Sequence, residues 1–383
     1  MINMSTMPAK RIVHLTSVHL PFDVRIFHKE CKTLARVGYE VVLIAPYKQD
    51  ETVDGVRIRA VPEPRNKWDR IAHTIWQMYR AACCEDAKIC HFHDPELILI
   101  GLLLKLRGKS VVYDVHEDVP QQIFSKQWIP PFLRPLVSRA VYALETFAAQ
   151  RFDGIAAATN TIAGRFEKMN SRTITLHNWP LGREFEEFAA TPFSADQEVI
   201  RVGYFGSIAE DRGAIVMLDA TLRLNRRIPA ALILAGPFSS KECRKNLENH
   251  AGWKYVEYLG ILNREQVLKQ LARLDIGIDV PAPLPRRMVA LPTKVFEFMA
   301  AGLPFVAANF PIVSSVIDEH HCGIEVDPTN SQEVVDAILW LAQHQSEARS
   351  MGVKGREAAL AKFRWEQETK KLTLLYEDIL QGG

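Results

Sequence analysis

A chain of 383 residues is too long for one ordinary hydrophobic core, so two domains are expected. Charged residues make up 24% and hydrophobic ones 48%, the balance of a globular rather than a disordered protein. A net charge of +2 with acids and bases interspersed gives no basic footprint, which argues against a nucleic-acid partner.

Short β-branched runs alternate with helical patterns from the start, which predicts an α/β protein with parallel sheets and helices on both faces. The first strand is expected at 11–15. Phe27, Cys31, Leu34 and Ala35 then form the apolar stripe of a helix over 24–37, with Gly38 as its C-terminal cap. Further strands are predicted at 40–45, 56–61, 88–92, 110–115, 154–158 and 173–176, which closes the first domain near Asn178. Residues 181–198 break the alternation with acidic, aromatic and small residues and read as the connection. A second series follows, with strands at 199–205, 231–235, 256–259, 276–280, 304–307 and 323–326. Asn263 with Gln266 three residues on reads as a capping box for a helix to Leu274, and a last helix is expected over 364–380. The domains are thus 1–180 and 181–383, each Rossmann-like, with the last helix free to pack back on the N-terminal domain.

The six cysteines show no C-x-x-C pair and no framework spacing, so reduced thiols in a cytoplasmic protein are expected. The polar run up to Lys10 lacks the apolar core of a signal peptide, and no stretch reaches the ~20 apolar residues that span a bilayer.

Open α/β sheets in tandem take ligands beyond the carboxyl ends of their strands, so the active site is expected in a cleft between facing domains. The stretch LPTKVFEFMAAGLPFVAA (291–308) carries a helix that starts near Pro292 and ends at Gly302. Val295, Phe298, Met299 and Gly302 form its apolar face, while Lys294 and Glu297 share another. Near a helix N-terminus, free N–H groups and the positive dipole end favour an anion, and Lys294 adds a full charge there; diphosphate is the natural guest. One turn on, Glu297 is set to accept hydrogen bonds from a vicinal diol such as ribose. An exposed Lys294–Glu297 ion pair is the competing reading.

In RVGYFGSIAEDRG (201–213), Gly203 and Gly206 allow a ligand close to the backbone, and Gly206 with Ser207 falls at a strand's carboxyl end. Arg212 follows at the start of the next helix, where its fork suits phosphate oxygens and makes it a partner for Lys294. Glu210 and Asp211 are rival partners for it. The G-x-x-G spacing is too loose for a dinucleotide fingerprint, and no P-loop is present.

From HLPFDVRIFHKE through HDPE and YDVHED to YFGS, EDRG, LPTKVFEFMAAGLP and EVDP, the sequence resembles the retaining GT-B glycosyltransferases of family 4. The resemblance implies that the C-terminal domain holds a nucleotide sugar. The family's signature is two glutamates eight positions apart followed by A-x-G-x-P. Glu297 and the run Ala301, Gly302, Leu303, Pro304 match its second half, and the resemblance makes Glu297 the ribose ligand; the first glutamate falls at Val289, a departure that touches donor-sugar recognition. The family also carries a lysine shortly after the arginine that Arg212 matches. None occurs over 213–219, and Lys294 is expected to take its place.

YDVHED lies at the carboxyl end of the 110–115 strand, and by resemblance His116 contacts the donor sugar or its phosphate, with Asp114 and Glu117 orienting it. The HFHD run (His91, His93, Asp94) can be read as a metal cluster; strand alternation, if the strand continues, is expected to turn His91 and Asp94 away from His93, which favours support beneath the site. After the first strand comes a loop with His19, Pro21, Phe22 and Asp23. By resemblance the acceptor enters there, positioned by Asp23 with Arg25; the other reading is that Asp23 caps the next helix.

Breaking the sugar–diphosphate bond puts negative charge on the leaving group. Arg212, Lys294 and the helix N-terminus would carry it, and with no D-x-D pair in the sequence, no metal or other cofactor is expected. The resemblance implies retention of configuration and a role in cell-surface polysaccharide synthesis, with a UDP-, GDP- or dTDP-sugar as donor and a glycan or lipid-linked saccharide as acceptor. Over 124–142, Lys126, Arg134 and Arg139 mix with Trp128, Ile129, Phe132, Leu133 and Leu136, which reads either as a peripheral contact with the inner face of a membrane or as domain packing. A nucleotide-sugar epimerase or hydrolase, and a small-molecule binding protein, are the alternatives on such a fold.

Overall fold

The computed structural model describes residues 10–124, 126, 128–186, 190–193 and 198–382. Parts of the expected connection (187–189, 194–197) and of the basic, apolar segment (125, 127) therefore lie outside the described residues. The chain divides into two compact units. One runs to Asn178 and takes in the chain from Glu366 onward; the other is Trp179–Trp365.

The first unit is built on strands β1 (Arg11–Leu15), β2 (Glu40–Pro46), β3 (Glu51–Val53), β4 (Val56–Val61), β5 (Ile89–Phe92), β6 (Ser110–Val115), β7 (Gly154–Ala157) and β8 (Thr173–Thr175). Their order across the sheet is β3-β4-β2-β1-β5-β6-β7-β8. The order reverses between β1 and β5, the crevice where an open parallel sheet admits a ligand. All neighbours are parallel except β3 and β4, which pair antiparallel. That edge strand was not expected. Its signal was the Asp54-Gly55 dipeptide, where Asp54 takes φ +52° as a tight hairpin turn requires.

Alternation gives this sheet two unlike faces. Val13, Leu15, Val42, Ile44, Cys90, Phe92, Val111, Tyr113 and Val115 enter one apolar core. The opposite face buries polar residues, among them His14, His91 and Asp114, each fully enclosed. The helix after β1 covers part of that face. It is wound in two pieces, Val24–Cys31 and Lys32–Arg36, and His28 N reaches back five residues to Asp23 O at 3.3 Å, a wide π-type turn. Arg25, Lys29 and Glu30 are buried on it, so a helix expected to turn only an apolar stripe inward also carries charge into the fold. The terminal helix Trp365–Gln381 contributes Leu372, Leu375 and Tyr376, all buried.

The second unit has strands β9 (Ile200–Phe205), β10 (Ala230–Ala235), β11 (Val256–Tyr258), β12 (Ile276–Asp279), β13 (Phe305–Ala308) and β14 (Gly323–Val326), in the order β11-β10-β9-β12-β13-β14. All pairs are parallel, and here the order reverses between β9 and β12. Apolar clusters lie on both faces, one around Val202, Met217 and Ile278 and one around Phe298, Met299 and Phe305. The capping box closes on Asn263 and Gln266, but the helix ends at Leu271, three residues short of the expected Leu274. In the segment expected to be irregular, Gly182–Glu186 forms a short helix, because Phe185 is drawn fully into the second core.

Candidate active site

In the second unit the switch point between β9 and β12 gathers most of the expected residues. Gly206 leaves β9 at φ +145°, its N–H donating to Ala235 O at 2.8 Å. A Cβ at that position would stand 2.7 Å from Lys294 Cε, so the glycine makes room for the lysine stem. Ser207 is exposed, and its carbonyl accepts from the Tyr204 hydroxyl at 3.0 Å. The turn Glu210–Arg212 follows, and Gly213 at φ +82° passes so close to the chain leaving β12 that a Cβ would meet Val280 O at 2.0 Å. With Ala282 N bonded to Asp211 O at 3.2 Å, the two loops are locked together and Arg212 is held at the crevice.

Lys294 enters from the helix Thr293–Ala301. Pro292 stands at the cap position, just outside the first turn where it was expected, and offers no side-chain acceptor to the first amides. The Lys294 ammonium lies 4.8 Å from the centre of the Tyr204 ring and 3.7 Å from Asp279 Oδ1. Burial pushes the Tyr204 phenol up, against the opposing charges of Lys294 and Arg212. Asp211 pairs with Arg286 at 2.7 Å and Arg287 at 3.0 Å instead of with its neighbour, and the Arg212 side chain makes no hydrogen bond or ion pair among the described residues.

Glu297 sits one turn on from Lys294, and the surface ion pair between them does not form. Glu297 Oε1 instead meets Arg264 at 2.5 Å, and Arg264 also holds Glu184 at 2.7 Å. Burial lowers the Arg264 guanidinium, but the two carboxylates outweigh it and hold it above its usual range. One Glu297 oxygen is thereby fixed, which orients the other. Val289 is 56% exposed, just after the turn Pro285–Met288 that carries Arg286 and Arg287.

In the first unit, Asp114 near the end of β6 is the hub of the buried polar face. Arg25 grips it with two bonds, Nε to Oδ2 at 3.1 Å and Nη2 to Oδ1 at 2.7 Å. His93 Nδ1 lies 3.0 Å and His116 Nε2 2.6 Å from Oδ2. Burial pushes the Asp114 carboxyl up, yet the Arg25 charge and the His116 and His93 contacts prevail and hold it well below the usual carboxylate range. His116, 20% exposed at its side chain, is the member of this set that reaches the surface. Glu117 does not orient it; its carboxylate turns out to Gln122, and Asp114 does the orienting alone.

Asp23 accepts from Arg25 N at 2.8 Å and Ile26 N at 3.0 Å, the capping geometry, and lies 3.4 Å from His19. Arg25 is 5% exposed and turned inward, so it supports Asp114 and does not present itself to an acceptor. Asp94 likewise holds the 16–18 loop, taking bonds from Thr16 Oγ1 at 2.8 Å and Ser17 N at 2.6 Å. The expected separation of His91 from His93 is wrong: residues two apart on a strand share a face, and the rings stack at 4.8 Å. Sequence reasoning missed Asp279, Tyr204, Arg264 and Glu30. Asp279 and Tyr204 stand at or near strand ends beside the switch point, a signal that was available; Arg264 and Glu30 lack any local sign of inward-turned charge.

Residues 24–182 match the family model for a glycosyl transferase 4-like domain, and residues 199–344 the model for glycosyl transferases group 1. The GDP-mannose-dependent alpha-(1-6)-phosphatidylinositol monomannoside mannosyltransferase of Mycobacterium tuberculosis is 26% identical over 183 residues, 45% of this chain and 44% of that protein. The chain thus spans less than half the length of that relative. The D-rhamnosyltransferase WbpZ of Pseudomonas aeruginosa is 22% identical over 285 residues, covering 73% and 70% of the two chains. Among solved structures, sucrose-phosphate synthase from Thermosynechococcus elongatus superposes with a TM-score of 0.75 at 13% identity, over 98% of this chain and 100% of that one. HepE from Anabaena, solved with UDP-glucose, gives 0.73 at 14% identity over 96% and 99%. With a family model on each unit and a fold shared over nearly its whole length, the chain belongs to the glycosyl transferase families, a 4-like domain followed by a group 1 domain on the GT-B fold.

Proposed function

We propose that the chain transfers a sugar from a nucleoside-diphosphate donor to a hydroxyl of a glycan or lipid-linked saccharide, with retention of configuration, in cell-surface polysaccharide synthesis. The observation that carries this reading is Lys294 over the Tyr204 ring at the β9–β12 switch point, beside the bare backbone of Gly206 and with Arg212 on the loop that Asp211 and Gly213 lock to the chain leaving β12. Two cations and the first-turn amides of Thr293–Ala301 meet the charge that develops on a departing diphosphate. Glu297, with one oxygen held by Arg264, offers the other to the ribose diol, and Ser207 lines the same loop. His116, backed by Asp114, is assigned to the donor sugar or its phosphate. Relatives named for GDP-mannose and D-rhamnose transfer, and a neighbour solved with UDP-glucose, agree with a nucleotide-sugar donor.

A thermal-shift panel of UDP, GDP, dTDP and their sugars tests the donor side. One nucleotide should raise Tm by several degrees, since saturation at a hundred times Kd stabilises by about 2.7 kcal/mol. Glu297→Ala should weaken that nucleotide about tenfold or more; unchanged affinity would remove the diol assignment. Turnover that needs no acceptor would instead favour the hydrolase or epimerase.

One further observation favours an acceptor at a membrane surface. Trp128, Phe132 and Leu136 expose 72%, 79% and 65% of their area, beside Arg134 and Arg139, while no described helix is long and apolar enough to cross a membrane. Vesicles with about 30% anionic lipid should co-sediment the protein, and Trp128→Ser with Phe132→Ser should release it. Equal recovery in the supernatant with and without vesicles would discard this contact.

A further inference from the structure

The buried polar face of the first unit holds a constellation that sugar transfer does not require. His14 and His91 are ladder partners on β1 and β5. His93 extends β5, its N–H bonded to Leu15 O at 3.1 Å. The three residues are 0%, 0% and 2% exposed. Each ring is anchored from behind through one nitrogen: His93 Nδ1 on Asp114 Oδ2 at 3.0 Å, His91 Nδ1 on the Tyr376 hydroxyl at 2.6 Å, and His14 Nε2 on the same hydroxyl at 3.3 Å. The second nitrogen of each ring turns inward: His14 Nδ1 and His93 Nε2 share a hydrogen bond at 3.0 Å, which an ion between them would replace, and His91 Nε2 has no partner. Glu30 Oε2 lies 3.9 Å from His14 Nδ1, 4.0 Å from His91 Nε2 and 4.0 Å from His93 Nε2.

Those three separations are too long for hydrogen bonds. His91 Nε2 and both Glu30 oxygens are buried with no hydrogen-bond partner, an expensive state for polar atoms so deep in a fold. Arg25 Nε stands 3.1 Å from Glu30 Oε1, which leaves Oε2 facing the rings. The hole has a definite size. Around a tetrahedral ion with bonds of about 2.0–2.1 Å, donor atoms sit about 3.3–3.4 Å apart. The 3.0 Å between His14 Nδ1 and His93 Nε2, and the 3.9–4.0 Å to Glu30, bracket that spacing.

We propose that His14, His91, His93 and Glu30 form a buried site for one divalent transition-metal ion, zinc by its ligand set. Three imidazoles and a carboxylate suit zinc better than the oxygen-seeking calcium or magnesium. The outer contacts match what metal-bound histidines need, a carboxylate or hydroxyl on the far ring nitrogen to fix tautomer and orientation. Asp114 has lone pairs nearby, but its oxygens are already committed to Arg25, His93 and His116. The ion would sit two contacts behind His116, through His93 and Asp114, and would fasten Tyr376 of the terminal helix to the sheet.

The test is metal content of the tag-free full chain, expressed with added zinc and dialysed against metal-free buffer. Mass spectrometry should find about one zinc per chain. Glu30→Gln and His91→Ala should each fall below about 0.2 equivalents, while His73→Ala, at a histidine whose side chain is 70% exposed, should keep the full complement. Cobalt supplied in place of zinc should give the wild type the visible absorption of a four-coordinate site, a readout that needs no variant to fold. Wild-type protein with less than about 0.2 equivalents of any transition metal and no cobalt spectrum overturns the proposal, as does a full equivalent retained by both cluster variants.

Discussion

Lys294→Ala should lower turnover about a hundredfold or more, and Arg212→Ala should do the same, because each removes a full charge from the site where the leaving diphosphate becomes most negative. A hundredfold is about 2.7 kcal/mol of barrier. The fold should hardly notice either change. Arg212 makes no ion pair among the described residues, and Lys294 meets Asp279 only at a long 3.7 Å. Loss of rate with Tm nearly constant therefore separates catalysis from stability. A further discrimination lies in the leaving group: a donor whose departing group needs less charge stabilisation should lose less. Near-normal turnover in both variants would end the leaving-group assignment.

The alternation of strands and helices was legible because, apart from the edge strand β3, the strands are short runs rich in apolar residues closed by glycine, proline or a polar turn, the pattern of a parallel sheet. The switch points were legible in principle, since the residues at strand ends fall there whatever the details. Arg212 is proposed by that logic, and Lys294 by its place near a helix N-terminus. What the sequence did not reveal was the inward charge. Arg25, Lys29 and Glu30 lie on a helix whose apolar stripe reads normally, and only the wide turn from Asp23 to His28 brings the charged side into the sheet. Arg264 escaped for a related reason: it opens a capped surface helix, and its partners Glu184 and Glu297 are 80 and 33 residues away. Burial of a charge is decided by its partners, and partners distant in sequence leave no local mark.

The largest stability effect should come from that buried set. Arg25→Met should cost about 3–5 kcal/mol in urea unfolding, because the fully buried Asp114 carboxylate would lose the guanidinium that grips both of its oxygens. Removing one partner of a buried pair leaves the other charge without water or compensation, which is worse than never having had the pair. Asp114→Asn added to Arg25→Met should then recover part of the loss, since the orphaned charge goes with it. The pH dependence follows from sign. Asp114 is held well below its unfolded value against the pull of burial, so its contribution is present above about pH 4 and is lost as pH falls through the depressed folded value. Without Arg25 the folded value rises, and the variant should lose stability on acidification from a higher pH than the wild type. An exposed pair gives the contrast: Arg286→Ala, which breaks the contact with Asp211 at 2.7 Å, should cost less than about 1 kcal/mol. A loss that small for Arg25→Met would mean that the carboxylates simply take up protons in the fold, and that the guanidinium is not what keeps this face together.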